Sequence, residues 1–256
     1  MGVYIKIPDV TFKKYIGIAE IEETPVVPDV PDEPTVPDTY PVTDTLKGLY
    51  YLGGTAADSV VDHSGNGNNA TVQGTITYAD GYATFTGTGT TNRMDTPVLT
   101  SYENNTTIVA LFRVPTGNRS IVSTFDTNQG GFVFANSRAH INAAIDGVGS
   151  GVNKVFAHTV GADNFALCAI SVNNDVCRVV KDANGTIEEL LNYTGENICN
   201  WQNAVTIGGY RANVSWNDTA DIALVSIHEG DVTDEQLQQI FAYVRWYGES
   251  KGLTIE

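Results

Sequence analysis

The chain has 256 residues, a formal net charge of −16 at pH 7 and an abundance of Gly, Thr, Asn and Ser over Lys and Glu. Beyond the first forty or so residues it is long enough to bury most of its surface as one domain without disulfide staples. Its negative balance repels phosphate backbones and anionic lipid, which excludes nucleic acid and membrane as partners of the large domain.

Residues 1–23 read as a docking arm. Two apolar runs, Val3-Tyr4-Ile5-Lys6-Ile7 and Tyr15-Ile16-Gly17-Ile18, flank Phe12, and residues 1–19 of this arm sum to +2, from Lys6, Lys13 and Lys14 against Asp9. It is too short to bury a core. Val3, Tyr4, Ile5, Ile7, Phe12, Tyr15, Ile16 and Ile18 are therefore expected to pair with another surface. Residues 24–42 read as an acidic linker. Pro25, Pro28, Pro31, Pro34 and Pro37 recur every three residues, the repeat of a polyproline II helix. At about 3.1 Å per residue the ladder spans roughly 37 Å when fully extended.

From residue 43 to 256 the pattern is that of an all-β domain. Short runs rich in Val, Ile, Thr, Tyr and Phe alternate with Gly, Asn and Asp turns, which predicts a two-sheet sandwich or barrel. The expected strands include Thr75–Tyr78, Tyr82–Phe85, Thr106–Val114, Ser120–Phe125, Gly131–Ala135, Phe165–Val172, Val176–Lys181 and Ala220–His228. Asp80-Gly81, Gly147–Gly151 and Asn184-Gly185 are expected turns. Thr107–Phe112 is apolar on both alternating faces, as in a central strand covered on both sides. Cys168 and Cys177 flank a short turn without facing each other, and with Cys199 the count is odd. No disulfide framework is expected, and folding in a reducing cytosol is the default. The chain starts without the basic-then-apolar pattern of a signal peptide, and no apolar run reaches the length of a membrane span. Near the end, Thr233 and Gln236 form a capping-box pattern, and Leu237, Ile240, Phe241 and Val244 make an apolar helical stripe that Gly252 stops.

The most specific local signal is Asp62-His63-Ser64-Gly65-Asn66-Gly67-Asn68-Asn69-Ala70-Thr71-Val72, following Leu49-Tyr50-Tyr51-Leu52. This order resembles the opening of concanavalin A-like, laminin G-like jelly-roll domains. The strand at Val205–Gly209, the strand at Ala220–Ile227 and the helix from Val232 resemble their closing elements. The resemblance implies a two-sheet antiparallel jelly roll, with a C-terminal amphipathic helix, whose usual work is binding carbohydrate or protein. Some relatives hold calcium, so Asp62, with Asn66, Asn68 or Asp218, is the candidate ligand set. Calcium asks for six or more oxygens, and a hydrogen-bonded turn without metal is the favoured reading. No other cofactor is expected.

The candidate carbohydrate surface is Tyr210, Arg211, Asn213, Trp216 and Asn217, with Trp201 before the preceding strand. Aromatic faces suit the apolar side of a sugar, and amides suit its hydroxyls. Equally, Tyr210 and Trp216 can cover the sandwich edge. Asn136, Arg138 and His140 form a weaker second candidate. Glycoside hydrolases need two carboxylates flanking the scissile bond, and the Glu-x-Asp-x-Glu strand of hydrolytic jelly rolls is missing. The four histidines lack metal-ligand spacing, and nucleophile elbow, phosphate loop and Cys-x-x-Cys motifs are absent. The chain is therefore expected not to be an enzyme.

Short arm, proline spacer and terminal lectin-like domain together resemble bacteriophage structural proteins. The expectation is a virion surface protein, a head fibre, capsid decoration or tail-associated subunit, made in the host cytoplasm. Its arm would meet other virion proteins and its sandwich host glycan. A homo-oligomer is left open, since no coiled-coil heptad marks one. The alternatives are a free carbohydrate-binding module, a jelly-roll glycoside hydrolase, or an adhesin requiring an export signal.

Overall fold

The computed structural model describes residues 39–256 except 88–90, 102–104, 127–130, 146–147, 156–158, 174, 196–201 and 212–217, with backbone alone for 101, 140–145, 148–153, 155 and 202. The chain divides into two units, Met1–Thr35 and Val36–Glu256, and every described residue belongs to the second. The arm candidates from Val3 to Ile18 and the ladder from Pro25 to Pro37 lie outside the described residues.

In chain order the elements are β1 (Leu46–Tyr51), α1 (Ala56–Ser59), β2 (Thr71–Gln73), β3 (Ile76–Ala79), β4 (Tyr82–Phe85), β5 (Arg93–Ser101), β6 (Thr106–Arg113), β7 (Ser120–Ser123) and β8 (Gly131–Ala135). They continue with β9 (Arg138–Ile145), β10 (Val148–Val155), β11 (Ala166–Val172), β12 (Val176–Asp182), β13 (Ile187–Thr194), β14 (Gln202–Ile207), β15 (Ala220–Glu229) and α2 (Asp234–Ser250). Two antiparallel sheets result. One runs β13-β12-β11-β6-β15-β4-β3, with β1 also paired to β15, and the other runs β10-β9-β8-β7-β14-β5-β2.

Alternation along the central strands creates two cores. On β6, Ile108, Ala110 and Phe112 point between the sheets, as do Cys168 and Ile170 of β11 and Ile222, Val225 and Ile227 of β15. They meet Met94, Ile121, Val122, Phe132, Phe134, Val205 and Ile207 from the second sheet. The intervening residues Val109, Leu111, Leu167, Ala169 and Leu224 point outward, where Leu237, Ile240, Phe241 and Val244 of α2 cover them. The doubly apolar sequence of β6 follows from this: both faces are buried. Cys168 and Cys177 are buried free thiols.

Local chemistry sets the ends of these elements. Thr233 Oγ1 accepts from the Gln236 N–H at 3.3 Å and Gln236 Oε1 from the Thr233 N–H at 2.9 Å, and Gly252 follows the helix with φ +72°. Asn184 (φ +54°) and Gly185 (φ +86°) form the two-residue turn between β12 and β13, where both central residues need positive φ. One expected turn is corrected. Val148–Gly151 of the glycine run belongs to strand β10, paired with Ile145–Asn142 of β9. Glycine reads as a turn former, but β10 is an edge strand, where weak strand formers are tolerated. Tyr40 and Val42, before the first strand, are buried in the core beneath α2.

Candidate glycan-binding surfaces

The Asp62 turn is held by saturation of one carboxylate. Oδ1 accepts from the N–H groups of Leu49 (3.0 Å) and Ser64 (2.9 Å), and Oδ2 accepts from Ser64 Oγ (2.8 Å) and the Asn68 N–H (2.8 Å). Burial pushes the Asp62 pKa up, but these bonds outweigh it and hold it below the usual carboxylate value. Asn66 Nδ2 donates to the Leu46 carbonyl at 2.9 Å and Asn68 Nδ2 to the Lys47 carbonyl at 2.7 Å. A carboxylate offers about four lone-pair positions, and here four donors take them.

The proposed calcium set does not assemble. The Asp62 turn packs on the end of β1, where Leu46 pairs with His228. Asp218 precedes Ala220, which pairs with Phe85. Residues 220 and 228 of one strand lie roughly 26 Å apart. Asp218 instead accepts from the Asn118 N–H at 2.7 Å. Among the described residues no group of three or more His, Cys, Asp or Glu is placed to hold a metal ion.

The carbohydrate candidates divide. Asn213, Trp216, Asn217 and Trp201 lie outside the described residues. Tyr210 is corrected: it is fully buried, so its ring has no open face for a sugar. A large aromatic is buried on average. Arg211 stays half-buried, donating from Nη1 to the Ala204 carbonyl at 2.6 Å, with Nη2 3.3 Å from Asp95 Oδ1. Asp95 also pairs with Arg93, at 2.9 Å from Nε and 3.1 Å from Nη2. Two guanidiniums around one carboxylate leave the cluster with a net positive charge on a strongly acidic chain. In the second candidate, Asn136 is buried, with Nδ2 donating to the Gly117 carbonyl and Oδ1 without a partner. Arg138 is half-buried, and the His140 side chain lies outside the described residues.

Sequence reasoning missed Arg119. It is fully buried, and its guanidinium donates to the carbonyls of Gly208 (2.8 Å), Asn92 (2.9 Å), Asp218 (3.2 Å) and Gly87. Burial lowers its pKa to about 10, against the opposing pull of Tyr210 and Asp218. It ties together the chain before Arg211, the start of β15 and the approach to β5. No local signal distinguishes it from a surface arginine, because its four partners come from three distant segments.

A separate polar pocket of about 280 Å³ lies beside the β3–β4 hairpin, lined by Tyr51, His63, Tyr247, Lys251, Asp58 and Asp80. The Tyr51 ring lies 4.9 Å from that of His63 and 4.8 Å from that of Tyr247. Burial pushes the Tyr247 hydroxyl up to about 12, with Tyr243 and Asp80 adding to it.

No protein-family model and no curated sequence matches the chain. Its fold is similar to that of the binding domain of Paraclostridial Mosquitocidal Protein 1, at 15% identity and TM-score 0.60, over 78% of this chain and 52% of that one. It is similar to botulinum neurotoxin type C, in a structure concerned with cell entry dependent upon two ganglioside molecules, at 11% identity and TM-score 0.56, over 78% and 51%. It is also similar to the botulinum neurotoxin serotype D ligand binding domain in complex with N-acetylneuraminic acid, at 12% identity and TM-score 0.55, again over 78% and 51%. These likenesses establish the fold as a β-sandwich shared with toxin binding domains. The chain spans about half the length of the structures it matches.

Proposed function

We propose that this chain is a non-enzymatic glycan-binding protein of a virion surface, whose arm docks on the particle and whose proline ladder holds the sandwich outward. The glycan half is carried by one observation. The sandwich holds a half-buried, net-positive Arg211–Asp95–Arg93 cluster on an otherwise acidic molecule, a place for an acidic or hydroxyl-rich sugar. The likeness to domains that meet gangliosides and N-acetylneuraminic acid supports it. The virion half is supported by the order of arm, spacer and domain in the sequence. Head fibre, capsid decoration and tail-associated subunit all fit that order.

Two experiments test the two halves separately. Full-length protein on a glycan array is expected to give selective binding, and a blank array sinks the glycan half. Deleting residues 1–22 is expected to abolish incorporation into particles while array binding persists; unchanged incorporation sinks the docking arm. The hydrolase alternative would fall on the pocket that holds both Asp58 and Asp80. It requires turnover of an array ligand that Asp80→Asn abolishes.

A further inference from the structure

Trp246 is a large apolar side chain left 40% exposed. It lies nine residues after Leu237, so at about 100° per residue it sits opposite the apolar stripe of α2. Packing of the helix onto the sheet does not account for it. One side of its ring meets Tyr243, at 5.6 Å between centroids. Trp246 also walls a groove of about 420 Å³ between α2 and the β12–β13 hairpin, shared with Asp182, Asn184, Gly185, Arg245 and Glu249. That volume lies in the range of small-ligand sites.

We propose that this groove binds a neutral pyranose residue of a glycan, with the Trp246 indole as the platform for the apolar face of the sugar ring. The proposal rests on the glycan-binding reading and gives it a second location with a stated chemistry. The walls are fixed to each other. Asp182, with its side chain 1% exposed, accepts from the Gly185 N–H at 2.8 Å and from Arg245 Nε and Nη2 at 2.8 and 2.5 Å. One carboxylate thus ties the hairpin turn to the helix, so little ordering remains to be done on binding.

The groups left over complement hydroxyls. Among the described residues, neither the Trp246 indole N–H nor the Asn184 side-chain amide has a hydrogen-bond partner, and the Glu249 carboxylate meets only Arg245 Nη1, at 3.9 Å. Together they offer donors and acceptors around an aromatic face, and a sugar hydroxyl uses both. Charge selects among sugars. Arg245 neutralises Asp182, and Glu249 leaves the groove with one net negative charge, so a sialic or uronic carboxylate is repelled. This is the opposite preference to that of the Arg211 cluster.

Saturation-transfer NMR on the full-length chain tests the proposal, with lactose, cellobiose and maltose as neutral probes and 3′-sialyllactose as the acidic counterpart of lactose. At least one neutral disaccharide is expected to receive saturation. Trp246→Ala is expected to weaken that binding roughly tenfold or more. Ala242→Trp, which fills the groove from an exposed helix position and leaves Trp246 in place, is expected to do the same. Neutral binding that survives both variants overturns the groove and leaves the glycan reading standing. Binding of 3′-sialyllactose alone has the same meaning. Failure of every probe here, together with a blank array, overturns both.

Discussion

Asp62 shows how one side chain builds a loop. Four donors converge on its two oxygens, and the turn from His63 to Asn69 takes its shape from them. Replacing it with Ala leaves three backbone N–H groups without their acceptor, which costs about 1–3 kcal/mol for each group that water cannot reach. Asp62→Ala is therefore expected to destabilise the domain by about 3 kcal/mol in denaturant unfolding. Because the lone pairs are taken by donors, millimolar calcium is expected to leave the melting temperature unchanged. A calcium-induced rise of several degrees, lost in Asp62→Ala, would mean that the turn opens to take a metal. The turn was legible in the sequence because its bonds are local. Tyr210 was not: it is buried near Arg119, far away in the chain, and an aromatic beside polar loop residues looks the same whether it faces water or a core.

At the scale of elements, His228 joins three pieces of chain. Its Nε2 lies 2.9 Å from the Tyr40 hydroxyl and 3.3 Å from Ser226 Oγ, and its Nδ1 lies 3.0 Å from Thr45 Oγ1. Tyr40 in turn meets Tyr243 of α2 edge to face at 5.4 Å. The ring thus links β15, the segment entering β1 and the helix. Burial lowers its pKa from 6.5 to about 4. In the unfolded chain His228 takes up a proton near pH 6.5, while in the folded one it resists down to about 4. Its contribution is complete above pH 6.5 and is lost as the pH falls to 4, on the order of 3 kcal/mol in all. Denaturant unfolding between pH 7 and 4 is expected to show this slope, and His228→Gln is expected to flatten it; an identical slope in the variant would assign the acid sensitivity elsewhere.

Elements whose signals are local could be read from the sequence: the Thr233–Gln236 cap, the Asn184-Gly185 hairpin and the doubly apolar β6. The pairing order could not. The neighbours of β6 are β11 and β15, and nothing in the chain near Thr106–Arg113 encodes those partners. The strand at Val148 was hidden by its glycines. Trp246 was hidden by its helix, although its place opposite the Leu237–Val244 stripe was a signal that counting residues would have raised.

At the scale of the molecule, charge and shape divide the work. The sandwich is acidic overall, yet one face displays a net-positive arginine cluster and α2 carries a groove of the opposite sign with an exposed tryptophan. The two proposed surfaces would have contrary charge preferences, which would suit recognition of a branched or mixed glycan. The proposed function is binding without turnover, and native mass spectrometry of the full-length chain mixed with neutral and sialylated oligosaccharides reads both binding and turnover in one spectrum. The expected result is a protein–glycan adduct at the mass of the intact sugar, stable over hours. Cleaved fragments in the mixture, or no adduct with any glycan, would contradict it.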